Sequence, residues 1–85
     1  MDQQRLQALL LELDRELKAT RSLDAQSQEL LQKVLADIPA APAGSSTHKS
    51  AESRLRELML RFEAEHPQLS GAVGQVADAL GKLGI

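Results

Sequence analysis

The residues best placed to do chemistry are Glu63 and His66. In Glu63-Ala64-Glu65-His66 they stand three apart, a spacing that puts a carboxylate and an imidazole on one helical face. Paired copies of that step build di-iron sites in four-helix bundles, and a homodimer would supply two. Such a site also needs inward-facing carboxylates on the other helices, and the inward positions here are almost all aliphatic. His66 abuts Pro67, at a helix end where a metal ligand is poorly held. The plainer reading is a solvated histidine near the C-terminal end of its helix, because an isolated short motif often matches by chance. Glu63 and His66 therefore define an alternative function, a metal- or small-molecule-binding bundle. No catalytic, metal or cofactor residue is assigned and no cofactor is expected.

The remaining reactive side chains are less promising. His48 lies beside Lys49 in a run of small polar residues, and a mobile loop cannot hold a general base. Ser45 and Ser46 have no acid or base at fixed geometry beside them. The chain has no cysteine, which excludes a thiol nucleophile, a disulfide and a thiolate metal site, and permits a reducing cytoplasmic compartment. Gly71 and Gly74 lack the preceding strand and the following Lys-Ser or Lys-Thr of a phosphate loop. Arg15, Arg21, Arg54, Arg56 and Arg61 read as a solvated face, with weak anion binding by Arg54 and Arg56 the only other role open to them. The net charge of -2 is built from interleaved acids and bases, so no basic stripe points to nucleic acid. Acids mixed into every polar face argue against a membrane-surface helix. No apolar run is long enough to span a bilayer, and the N-terminal stretch, with Asp2, Gln7 and Glu12, does not read as a signal peptide. The expectation is a protein that is not an enzyme.

Elements that could position any site come from an internal echo. Arg5-Leu6 is followed by Leu9, Leu10, Leu11 and Leu13; Arg54-Leu55 is followed by Leu58, Met59, Leu60 and Phe62 at the same offsets. The first segment, about Asp2 to Thr20, carries Leu6, Leu9, Leu10, Leu13 and Leu17 on one helical face, with Asp2 as its cap. The second, about Ala25 to Ile38, carries Leu30, Leu31, Val34, Leu35 and Ile38, with Ser22 or Asp24 as cap and Leu23 folded back on the first turn. The pattern stops at Pro39, and residues 39–49 read as a flexible linker. The third segment begins near Ser50 and ends by His66, because Pro67 disfavours a helical predecessor. Pro67 suits the first position of the fourth, whose Leu69, Val73, Val76, Leu80 and Leu83 form a heptad-like seam, with Gly84 as C-terminal cap. Gly71, Gly74 and Gly81 in that segment mean either a smooth face for close helix approach or a marginal helix.

Leu11 and Leu60 fall off the apolar faces at matching positions of the echo. One exposed leucine is ordinary, but two in register suggest an extension of the apolar stripe toward a second subunit. With one aromatic residue in 85, the chain can build only a modest aliphatic core, which favours oligomerisation.

The second half reads Phe62-Glu63-Ala64-Glu65-His66-Pro67-Gln68-Leu69, then Val76-Ala77-Asp78-Ala79-Leu80, then Gly84-Ile85. This resembles a family of small bacterial proteins catalogued as domain of unknown function number four thousand four hundred and four, with Phe-Glu-x-x-His-Pro near the middle and Gly-Ile at the end. The Leu-rich helix, Leu-Asp and second Leu-rich helix of the first half also fit. The resemblance spans essentially the whole chain and implies a small, soluble bacterial protein. It carries over no activity, cofactor or catalytic residue.

The sequence thus predicts an all-α domain over 1–85: two tandem antiparallel helical hairpins, 2–38 and 50–85, bundle-like and completed by homodimerisation. The expected function is a cytoplasmic interaction, regulatory or adaptor protein. Its partners are a second copy of itself and an unknown protein, with no nucleic acid and no membrane. Leu11 and Leu60 are the interface candidates.

Overall fold

A computed structural model describes residues 3–42 and 44–83, and within them every side chain except those of Gln3 and Leu83. Four helices, α1 (Gln3–Ala19), α2 (Ala25–Ala40), α3 (Ser46–Phe62) and α4 (Pro67–Leu83), take up most of the chain. The expected cap at Asp2, the seam position of the Leu83 side chain and the expected terminal cap at Gly84 lie outside the described residues.

Each helix packs on two others. Among the described residues α1 touches α2 and α4, α3 touches α2 and α4, and the pairs α1–α3 and α2–α4 do not meet. Short connections make sequential neighbours antiparallel, so the arrangement is an up-down-up-down four-helix bundle. The apolar stripes converge inside it: Leu13, Leu31, Leu55, Val73 and Val76 are fully buried, with Leu6, Leu10, Leu17, Val34, Ile38, Leu58, Phe62, Leu69 and Leu80 around them. The hydrophobic core is closed within one chain.

Helix starts follow local chemistry. Asp24 caps α2, its carboxylate accepting the Ser27 N–H at 3.1 Å. Hydrogen bonds from Ser27, side chain first and backbone second, hold the Asp24 carboxyl below the ordinary aspartate range. Pro67 opens α4, and the His66 carbonyl accepts the Ser70 N–H at 2.9 Å. Leu23 packs half-buried against the core.

The connection between the two halves differs from the sequence expectation. Helix α2 runs through Pro39 to Ala40, and α3 starts at Ser46, capped by Ser45 rather than Ser50. Ser45 Oγ accepts the His48 N–H at 3.3 Å. The stretch outside helices therefore shrinks from 39–49 to 41–45. Pro39 removes only one backbone donor in the last turn of α2. The Ile38 carbonyl is met there by the Ala41 N–H at 3.3 Å and by His48 Nε2 at 2.9 Å. Gly44, at φ 75°, makes the turn into the Ser45 cap, a conformation that strains residues with a Cβ.

The small residues of α4 divide by role. A Cβ on Gly74 would sit 2.7 Å from Met59 Sδ, and one on Gly81 would sit 2.9 Å from Glu52 Oε2. Those two glycines let α3 approach closely. Ser70 Oγ adds a hydrogen bond to the Met59 carbonyl at 2.8 Å. Gly71 has nothing within 4 Å of its Cβ position and plays no part in the approach.

Candidate functional site

Glu63 and His66 do not share a site: His66 lines an open hollow with Glu16 and Glu65, and Glu63 is not part of it. His66 is half-buried at the α3–α4 turn, its ring edge-on to Phe62 at 6.2 Å and 76°. Glu63 is exposed one turn earlier. Among the described residues, no three His, Asp or Glu side chains gather to hold a metal ion. His48 is not on a mobile loop. It is buried in the first turn of α3, where Nε2–H donates to the Ile38 carbonyl and Nδ1 has no protein partner. The buried ring ties the first turn of α3 to the last turn of α2. No described helix is long and apolar enough to cross a membrane.

The surface also carries two large apolar side chains. Leu11 and Leu60 are each 66% exposed, and they are the exposed large hydrophobics among the described residues. Their helices, α1 and α3, occupy diagonal corners of the bundle.

Their surroundings differ. Leu60 stands among Arg56, Glu57, Glu63 and Ala64, the residues one turn to either side. Leu11 stands among Gln7, Ala8, Asp14 and Arg15, and Asp14 is paired with Lys18 at 3.1 Å. Leu11 also lines a groove of about 360 Å³ between α1 and α2, with Leu10, Leu35 and Pro39 as its apolar walls and Gln7 and Asp14 on its rim. The groove lacks the convergent polar groups that fix a small ligand.

Matching of the chain to family models decides the family: the model described as Domain of unknown function (DUF4404) covers residues 6–85. The chain belongs to the DUF4404 family. No curated protein and no solved structure matches it.

In this DUF4404 chain the Phe62…His66-Pro67 signature forms the α3–α4 turn. The Phe62 carbonyl accepts the His66 N–H at 2.7 Å, and Pro67 begins the next helix. The motif's residues thus have a structural use that accounts for their spacing. Sequence reasoning found Leu11 and Leu60 but missed the groove, because its α2 wall uses Pro39, a residue read as the start of the linker. It also missed His48 as a core residue. The signal was present: His48, Ala51, Leu55, Leu58 and Phe62 step by three and four along one helical face.

Proposed function

We propose that this DUF4404 protein is a non-enzymatic helical interaction protein of the bacterial cytoplasm. It pairs with a second copy of itself and presents the remaining helical surface to a protein partner, as an adaptor or regulator does. The observation that carries this reading is the pair of two-thirds-exposed leucines, Leu11 and Leu60, on a bundle whose other large apolar side chains, among the described residues, are drawn inward. Helical partners dock on such apolar faces. With the leucines on two helices that do not touch, a two-fold interface centred on one leaves the other to a partner.

Light scattering on a size-exclusion column, across a range of concentrations, tests the self-association. The expected result is a dimer that Leu11→Glu with Leu60→Glu converts to monomer. A double variant that keeps the dimeric mass would remove these leucines from the interface.

A further inference from the structure

We infer that the α1–α2 groove is the self-association surface and that its occupant is the same groove of a second copy, with Leu11 as the anchor. This rests on the self-association proposed above and adds which face carries it.

Two observations select the groove over the Leu60 side, and a third gives the size of the interface. The first is apolar continuity. Leu11 is joined by Leu35 and Pro39 across the groove, whereas Leu60 has charged residues at three of its four near positions on the helix. The cores of protein interfaces are depleted in charge.

The second is charge compatibility with a copy of itself. Gln28, Gln32 and Ala36, which step by four along α2 beside Leu35, are exposed and uncharged. The groove-rim carboxylate of Asp14 already has its counter-charge in Lys18. With Arg15 the remaining charge beside Leu11, such a face sets few charges against their own image. A strongly charged face would instead select a partner of opposite sign.

The third is area. Helices of 17 and 16 residues present a face about 25 Å long and about 20 Å wide. Two such faces bury on the order of 1,000 Å², about what a specific interface needs. A leucine from each copy, entering beside Leu35 and Pro39 of the other, gives the central apolar anchor around which interface energy concentrates.

Single variants at the two leucines, with a cross-link, form the test. Leu11→Glu is expected to weaken dimerisation about thirtyfold or more, while Leu60→Glu leaves the mass profile unchanged. Circular dichroism checks that both remain helical. The chain has no cysteine, so Ala36→Cys beside the groove and Ser53→Cys on the exposed side of α3 each provide one reactive thiol. A short bismaleimide is expected to give covalent dimer from Ala36→Cys and not from Ser53→Cys. A wild-type dimer that Leu60→Glu dissociates and Leu11→Glu does not would overturn the groove assignment and leave self-association standing. A wild-type monomer at every concentration would overturn self-association and this assignment with it.

Discussion

The two hairpins repeat each other in sequence and not in packing. Between α3 and α4 the contact is close: Gly74 lies under Met59, Gly81 lies under Glu52, and the Ser70 hydroxyl reaches the Met59 carbonyl. Between α1 and α2 the contact is the slightest of any neighbouring pair in the bundle, and a groove remains open along it. Helix α1 leans instead on α4. The offsets shared by Leu6–Leu13 and Leu55–Phe62 set which faces turn inward. The partner helix then decides how close two backbones come. Helix α4 carries glycine, alanine and serine at its contacts; α2 presents leucine and proline to α1. Small residues let backbones approach, while bulky ones hold them about 10 Å apart.

The largest effect should come from the joint between the hairpins. His48 is 4% exposed, fills space between α2 and α3 and donates to the Ile38 carbonyl. His48→Ala leaves a cavity and removes that donor, which should cost about 2–3 kcal/mol. Urea unfolding followed by circular dichroism measures it. A loss under about 0.5 kcal/mol, the range of ordinary surface changes, would mean that residues near 48 behave as the solvated linker the sequence suggests.

That joint marks where the sequence became hard to read. The faces of α1 and α4, the start of α4 and the start of α2 followed from the spacing of leucines and valines and from Asp24 and Pro67, whereas α3 ends at Phe62 and so leaves Glu63 and His66 off the helical face that their spacing suggests. The start of α3 did not follow, because its first inward positions are His48 and Ala51, residue types that carry little hydrophobic signal. Pro39 misled for a related reason. Its effect depends on how many donors the helix still needs, and in a last turn supported by Ala41 and His48 that number is small. Leu11 and Leu60 were legible as outliers from their stripes. The groove was not, because it depends on how α1 and α2 are spaced across a loop, a distance that no local pattern encodes.

Next in size is a matched pair at the two seams. Met59 and Leu35 are both half-buried, one between α3 and α4 and the other between α1 and α2. Met59→Ala should cost about 2 kcal/mol, the low end of the buried range, and Leu35→Ala about 1 kcal/mol or less, below it, because both sites already meet solvent and the α1–α2 seam is the more open. Measured as monomer stability in a Leu11→Glu background, equal losses would erase the contrast between the hairpins.

Within α4, Gly71 sharpens the distinction between glycines that serve the seam and one that does not. Gly71→Ala meets open space and should stabilise by about 0.5–1 kcal/mol through helix propensity and a more restricted unfolded chain. Gly81→Ala places a methyl against the Glu52 carboxylate, which pairs with Arg56 at 3.0 Å, and should gain less. A thermal melt that ranks Gly81→Ala above Gly71→Ala would contradict the assignment of Gly81 to the close approach.

The smallest contrast is between the two helix caps, and it is set by pH. Asp24 and Ser45 do the same work, each accepting an N–H three residues on, at 3.1 Å and 3.3 Å. Only Asp24 titrates. Its folded-state pKa is depressed, first by the Ser27 side chain and then by the Ser27 backbone. The cap's contribution is therefore complete above the unfolded aspartate value, about pH 3.9, and is lost as pH falls through the lower folded value. Acidification below about pH 4 should fray the start of α2 while the Ser45 cap itself, having no proton to gain, holds α3. Amide hydrogen exchange at Ser27 and His48 reads this directly: Ser27 protection should fall first, and Asp24→Asn, which keeps a capping oxygen without a charge, should abolish the difference in pH response. Equal acid sensitivity at both amides in the wild type would show that α2 and α3 unfold as one unit, and that the weak α1–α2 contact does not make the first hairpin separately fragile.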